Sequence, residues 1–217
     1  MPFLMHPGQV DFPPTEMADA ETGLLTIGGN LTFNTLINAY SSGIFPWYNE
    51  GEPVCWYTPD PRFVLFPGDL KISHSMKSLI NRNIFEFTCD QSFKEVVRNC
   101  RIAKRKTEPG TWITDDIENA YNLLFEKGYA HSAECRKNGK LVGGLYGVQL
   151  GKVFFGESMF SNESNASKFA LIKYVQHLKT LHVGLIDCQV YTPHLASLGG
   201  TFITRKSFNE LLETLIN

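Results

Sequence analysis

The chain has 217 residues, of which 43% are hydrophobic and 19% charged, which is typical of a soluble globular protein. Its net charge of -2 and pI near 6.3 give no global basic field, so any contact with nucleic acid has to be local. The five cysteines are scattered and form no CxxC pair, which argues against a zinc site and a secreted disulfide framework. No basic, apolar leader opens the sequence and no apolar run is long enough to cross a bilayer, so we expect a cytoplasmic protein without metal.

The first sixty residues are rich in proline, glycine and aromatic residues and predict only short elements. Thr32 is a suitable N-cap for a helix that ends near Gly43. Two prolines flank Asp60 and stiffen the chain there, which predicts a domain boundary. We therefore expect a small N-terminal domain over 1–60 and a larger domain over 61–217.

The larger domain opens with a mixture of strands and helices. Phe85 and Phe87 alternate with Glu86, as in a half-buried strand, and two acids followed by an apolar stripe predict a helix near residue 115. The predicted elements are strand 63–66, helix 74–81, strand 84–88, helix 92–100 and helix 115–127.

A basic run precedes Trp112. Five cations fall within nine residues, namely Arg98, Arg101, Lys104, Arg105 and Lys106. Such a run is often only a solvated face, but a basic loop leading into a tryptophan also suits a phosphate backbone and a stacked base. The sequence leaves both interpretations open. Three further cations are candidates for the same patch: Lys71, Lys77 and Arg82.

The second half of the chain predicts two hairpins and a helix between strands. Asn138-Gly139 and Gly151-Lys152 are two-residue turns between apolar strand runs. After them we predict helix 165–179, strand 185–190, helix 193–200 and helix 207–216. This order indicates an α+β fold with an open, mostly antiparallel sheet covered by helices.

Three polar residues interrupt the strands of this half. Glu157 follows two phenylalanines and Gly156, which predicts a bulge that re-aims the glutamate. Asp187 and Gln189 lie two apart in a strand, so a period of two places both on one face. One such residue alone would be expected to satisfy backbone donors, but three together favour a site, because each costs desolvation unless it is paired or used.

The chain also resembles a known family along most of its length. The segments that carry the resemblance are, in order, 28–31, 43–47, 56–62, 110–114, 142–148, 156–161, 165–168 and 186–189. They are similar to those of the bacterial leucyl/phenylalanyl-tRNA-protein transferases. The resemblance implies a small N-terminal domain followed by a domain with the fold of the GCN5-related N-acetyltransferases. It also implies transfer of Leu or Phe from aminoacyl-tRNA, with Met left open as a third residue, to proteins that begin with Lys or Arg, which marks them for degradation.

Site roles follow from the same resemblance. The 3′-terminal adenosine of the tRNA would stack between Trp47 and Trp112, with Tyr121 nearby. The side chain of the transferred amino acid would occupy a pocket of Leu145, Phe154, Ser161, Leu171, Tyr174 and Ile186. Gln189 would accept a hydrogen bond from the attacking amine, Asp187 would orient the amide of Gln189, and Glu157 would supply a second anion.

Two other functions compete with this one. An acyl-CoA-dependent N-acetyltransferase shares the expected fold, but this chain lacks the glycine-rich pyrophosphate loop that such an enzyme would show. A non-catalytic tRNA-binding module would need the tryptophans but not the three polar strand residues. For the transferase we expect a monomer that uses no cofactor.

Overall fold

The N-terminal part of the protein forms a small sheet with one helix. A computed structural model describes residues 2–103 and 112–216. The elements are β1 Phe3–Met5, β2 Leu24–Gly28, α1 Phe33–Ser41, β3 Phe45–Pro46 and β4 Cys55–Tyr57. The strand order is β1-β2-β4-β3. Thr32 caps α1 as predicted, because its side chain accepts a hydrogen bond from the Thr35 N–H at 3.2 Å.

The described residues after β4 include a seven-stranded sheet. Its strands are β5 Arg62–Leu65, β6 Glu86–Cys89, β7 Ala130–Lys137, β8 Lys140–Leu150, β9 Val153–Ser161, β10 Leu185–Gln189 and β11 Thr201–Ile203. In the order β11-β5-β10-β9-β8-β7-β6, every neighbouring pair is antiparallel except β9 with β10. The predicted open, mostly antiparallel sheet is therefore confirmed.

Helices cover this sheet and supply its one parallel connection. They are α2 His74–Asn81, α3 Phe93–Ile102, α4 Asp115–Glu126, α5 Ala166–Thr180, α6 Pro193–Ser197 and α7 Arg205–Ile216. A parallel pair needs a long crossover, and α5 provides it between β9 and β10. The α+β class is confirmed with these helices close to their predicted positions. Strand β11 was not predicted, because three residues carry too little periodicity to be recognised.

Buried side chains form one cluster on each face of the large sheet. Leu185 of β10 belongs to the cluster packed by α3 and α4, whereas its neighbour Ile186 belongs to the cluster packed by α5. This alternation is that of a strand buried on both faces. The first cluster also contains Leu25 and Leu36 of the N-terminal sheet and helix, so both parts of the chain share one core. The predicted boundary at residue 60 lies between β4 and β5 and stays a prediction.

Candidate active site

A gap between the two parallel strands β9 and β10 forms the cavity of the site. Pairing of β10 with β9 ends at Asp187 opposite Phe155, although both strands continue beyond that pair. On its other side, β9 changes register with β8 so that Glu157 has no partner, which is the bulge predicted after Gly156. A cavity of about 430 Å³ opens there, and side chains from both sheet faces line it.

Glu157 lies in this gap and is held by neutral donors. It accepts hydrogen bonds from the hydroxyls of Tyr40 and Tyr121, both at 2.8 Å, and from Nε2 of Gln189 at 3.0 Å. Burial raises the pKa of Glu157 from an ordinary 4.5 to about 7, although the two phenol hydrogen bonds act in the opposite direction. Burial also raises the pKa of both tyrosines well above the ordinary value, so they remain neutral donors. The carboxyl group therefore exchanges its proton near neutral pH.

Asp187 faces the same gap and is held by a cation. Its carboxylate accepts two hydrogen bonds from Arg62, 2.8 Å from Nε to Oδ1 and 2.6 Å from Nη2 to Oδ2. Both side chains are buried, with exposures of 0% and 1%, and the guanidinium also lies over the rings of Phe45 and Phe208. Sequence reasoning gave Arg62 no role. The only signal was a lone arginine at the start of an apolar strand.

Gln189 ends β10 in a strained turn. Its φ of 62° is in the left-handed region, and the Val190 N–H donates to the Cys188 carbonyl at 2.7 Å around it, which is a γ-turn. The Gln189 N–H donates to Oδ1 of Asp187 at 2.9 Å. Asp187 therefore holds the backbone of Gln189, and Glu157 rather than Asp187 orients its side-chain amide. A residue kept in such a conformation by its neighbours is a common feature of functional sites.

The residues predicted to bind the adenosine lie in two places, the two tryptophans at the cavity and Tyr121 in the core. Trp47 and Trp112 both line the cavity, where Trp47 is 42% exposed and Trp112 is buried. Tyr121 is fully buried, with its hydroxyl bonded to Glu157 and to Tyr40 and its ring edge-on to Tyr146. Tyr121 therefore holds Glu157 through its hydroxyl, a contact that the sequence did not indicate.

The predicted side-chain pocket is partly assembled at the cavity. Its lining includes four of the predicted residues: Leu145, Phe154, Leu171 and Ile186. Tyr174 lies behind this wall, with its ring edge-on to that of Phe154 at 4.9 Å. Ser161 lies outside the cavity lining, where its hydroxyl accepts from the Ser167 N–H at the start of α5. Met159 lines the cavity although the sequence analysis did not include it.

The cations of the predicted basic patch fall into three groups: one is ion-paired, four are exposed, and three lie outside the described residues. Arg101 forms ion pairs with Asp115 and with Glu118, the latter at 3.1 Å. The side chains of four others are exposed: Lys71, Lys77, Arg82 and Arg98. Lys104, Arg105 and Lys106 lie outside the described residues.

Neither metal-binding clusters nor membrane spans are found in residues 2–103 and 112–216. Within these ranges, no three His, Cys, Asp or Glu side chains come together as possible metal ligands. No helix in the same ranges has the length and apolar character needed to cross a membrane. Cys188 lines the cavity, and burial raises the pKa of its thiol, so it has little thiolate at neutral pH.

Comparisons with known proteins identify the family. The family model described as leucyl/phenylalanyl-tRNA protein transferase matches residues 64–213, and that of its N-terminal domain matches residues 29–60. Relatives named leucyl/phenylalanyl-tRNA–protein transferase include one from Syntrophus aciditrophicus, 52% identical over 93% of this chain and 84% of its own length. Another, from Flavobacterium johnsoniae, is 51% identical over 94% of this chain and 95% of its own length.

Solved structures give more distant matches. The structure of L-PGS from Bacillus licheniformis has 15% identity and a TM-score of 0.41, covering 87% of this chain and 65% of that one. A GCN5-related N-acetyltransferase from Kribbella flavida has 10% identity and the same TM-score, covering 82% and 63%. The assignment depends instead on the family model, which matches more than half of the chain, and on relatives about 50% identical over almost all of it. The chain belongs to the leucyl/phenylalanyl-tRNA–protein transferase family.

Proposed function

We propose that the protein transfers Leu, Phe or Met from aminoacyl-tRNA to the α-amino group of proteins that begin with Lys or Arg, forming a peptide bond and marking those proteins for degradation. The observation that carries the proposal is the gap between β9 and β10. There, Gln189 and Glu157 meet beside an apolar cavity that two tryptophans also line. The donor is a cytoplasmic molecule, so the cytoplasm is the proposed location, and the protein acts as a monomer.

The tryptophans bind the 3′-terminal adenosine of the donor. A ring 42% exposed at the cavity, like that of Trp47, offers a face on which a base can stack. Stacking contributes about 1–3 kcal/mol per base and tolerates any sequence, which suits an enzyme that uses the common end of all tRNAs. Exposed Lys71, Lys77, Arg82 and Arg98 are available to the tRNA backbone, and such contacts make binding sensitive to salt.

The apolar wall of the cavity receives the side chain of the transferred amino acid. Leu145, Phe154, Leu171 and Ile186 offer no polar partner, so recognition is by size and shape. A methylene group in such a pocket changes binding by only about 1–3 kcal/mol. Rejection of β-branched residues therefore depends on the shape of the wall, with the ring of Tyr174 supporting Phe154 from behind.

The reaction is aminolysis of an activated ester, and the site positions the amine and accepts a proton. The α-amino nitrogen forms a bond to the ester carbonyl carbon, and the bond from that carbon to the 3′-oxygen breaks. Because Nε2 of Gln189 donates to Glu157, its carbonyl oxygen is the atom that accepts a hydrogen bond from the amine. Glu157 takes the proton that the neutral amine loses and returns it, through the neighbouring ribose 2′-hydroxyl, to the departing 3′-oxygen, so that Glu157 is ionised again at the end of the reaction. A pKa near 7 suits this exchange at neutral pH.

Glu157 is also the anion that meets a cationic acceptor. The charge of Asp187 is compensated by Arg62, whereas Glu157 has neutral donors around it. An ionised Glu157 therefore attracts the ammonium group of the incoming N-terminus.

The test compares two donors on one acceptor. Purified protein is incubated with a peptide beginning with Arg, either with tRNA charged with labelled Leu or with labelled acetyl-CoA. We expect the peptide to be labelled from the tRNA only. Label from acetyl-CoA alone would instead establish an N-acetyltransferase. Binding of charged tRNA that requires Trp47 and Trp112, with no transfer to the peptide, would establish a tRNA-binding module.

A further inference from the structure

A group of exposed apolar side chains adjoins the cavity. Tyr191 and Phe202 are each 51% exposed, and their rings stack with centroids 5.8 Å apart and planes 19° from parallel. Both rings lie edge-on to Phe63, at 5.3 and 4.9 Å, and Phe63 itself is buried. Val190, 47% exposed, connects the two rings to the cavity that it also lines. We call Val190, Tyr191 and Phe202 the aromatic step.

The aromatic step lies on the other face of the sheet from the N-terminal region that carries Trp47. Along β5, Arg62 packs on Phe45 of the N-terminal sheet, whereas the next residue, Phe63, faces the opposite side. Phe202 pairs with Phe63 across the strands and therefore shares that side. The step and the tryptophans are thus separate surfaces that meet only at the cavity.

The absence of Lys and Arg from the segment that carries the aromatic step favours a peptide over RNA as its partner. Surfaces that bind single-stranded RNA combine aromatic rings with Lys or Arg along the backbone path. Residues 189–204, which contain the whole step, include neither Lys nor Arg. Arg205 follows directly in the sequence, and its side chain is directed to the Thr58 carbonyl, to which it donates at 2.8 Å. Exposed apolar side chains on a segment without Lys or Arg are suited to apolar side chains of a protein.

The length of an extended peptide fits this arrangement. Tyr191 is two residues beyond Gln189, and consecutive Cα atoms are about 3.8 Å apart. An extended acceptor whose first residue lies at Gln189 places its second and third Cα atoms about 4 and 7 Å further on, which is similar to the reach of two residues from Gln189 to Tyr191. We infer that the aromatic step binds the second and third residues of the acceptor protein and favours apolar side chains there. This inference rests on the proposed function and adds the position that the acceptor chain takes.

The test measures transfer from charged tRNA to two peptides of equal length, one beginning Arg-Leu-Leu and one Arg-Gly-Gly. The wild-type protein should have the lower acceptor KM for Arg-Leu-Leu. Tyr191→Ser and Phe202→Ser should each raise that KM about five- to tenfold and leave the KM of Arg-Gly-Gly and of aminoacyl-tRNA within about twofold. Leu181→Ser is the matched control, because Leu181 is 52% exposed at the end of α5, and it should change neither peptide's KM.

Two results would overturn the inference and leave the proposed function standing. One is wild-type transfer to both peptides with equal KM that the step variants do not change. The other is a raised KM for aminoacyl-tRNA, which would assign the step to the donor. Absence of transfer by the wild-type protein would instead reject the proposed function itself. Because Phe202 packs on Phe63, a melting curve accompanies each variant, and if Phe202→Ser unfolds, Tyr191→Ser alone decides.

Discussion

Two carboxyl groups face the same gap, the buried Asp187 and the half-buried Glu157, and their surroundings differ. Asp187 on β10 is neutralised by the guanidinium of Arg62, whereas Glu157 on β9 is held by two phenols and an amide. Uncharged donors orient a carboxylate without offsetting the whole cost of burying its charge, so the pKa of Glu157 rises to about 7. Asp187 therefore holds the turn of Gln189, whereas a raised pKa suits Glu157 to the proton exchange that we propose.

This difference also affects stability. Glu157 has a folded-state pKa of about 7, above its ordinary 4.5. Its contribution to stability is therefore fully present below about pH 4.5 and is lost as the pH rises through about 7. A site that is useful at neutral pH is thus kept at some cost in stability.

The largest expected effect is on kcat and comes from removing the carboxyl group of Glu157. Glu157→Gln keeps the shape of the side chain but removes the proton acceptor, so kcat for transfer from charged tRNA should fall about 10²- to 10⁴-fold. Binding of an aminoacyl-adenosine mimic should change little. Glu163→Gln is the control, because Glu163 forms a partly exposed ion pair with Lys137 and should leave kcat within about twofold. A Glu157→Gln protein with wild-type kcat would remove Glu157 from the reaction.

The next largest effect is on the free energy of unfolding and comes from removing the cation that pairs with Asp187. Arg62→Leu leaves a buried carboxylate unpaired, so the free energy of unfolding, measured with urea, should fall by about 3–5 kcal/mol. The double variant Arg62→Leu with Asp187→Leu should recover most of that loss, because it removes both charges. A loss below about 1 kcal/mol in the single variant would show that the ion pair does not hold this side of the gap.

A smaller effect is expected on donor binding, which we assign to the tryptophans and not to the two carboxyl groups. Trp47→Ala should weaken binding of an aminoacyl-adenosine mimic by about 1–3 kcal/mol, measured by calorimetry, because one stacking surface is lost. Leu123→Ala is a control of similar exposure, 40% against 42%, away from the cavity lining. Equal affinities for all three proteins would place the adenosine elsewhere.

The smallest effect concerns a residue at the edge of the site. Ser161→Ala removes the acceptor for the Ser167 N–H at the start of α5, so the free energy of unfolding should fall by about 1 kcal/mol. Because Ser161 lies outside the cavity lining, transfer of Leu and Phe should proceed at the wild-type kcat. A tenfold change in either transfer rate would return Ser161 to the pocket.

Local patterns in the sequence predicted much of this structure. Caps and apolar periodicity indicated α1, α4 and α5, and the two-residue turns indicated both hairpins. The three polar strand residues stood out because apolar neighbours surround them, and the bulge at Glu157 followed from Gly156. These features depend on residues close together in the chain.

The partners of those polar residues were not predictable. Arg62 and Asp187 are 125 positions apart, and Tyr40 and Glu157 are 117 apart, so no local pattern connects them. The hydrogen bond from Tyr121 to Glu157 joins residues 36 positions apart and likewise depends on the folded chain. The turn at Gln189 was missed because a glutamine in the left-handed region is uncommon without its neighbours to hold it.

The pH dependence of transfer tests the central claim most directly, namely that Glu157 accepts a proton near neutrality. We predict that kcat/KM for transfer from charged tRNA rises with pH through an inflection near 7 in the wild-type protein. The hydrogen bond from Tyr121 lowers the pKa of Glu157, so Tyr121→Phe should move that inflection to higher pH. The amine of the acceptor titrates equally with both proteins and cannot cause such a difference. Identical profiles for the two proteins would contradict the account.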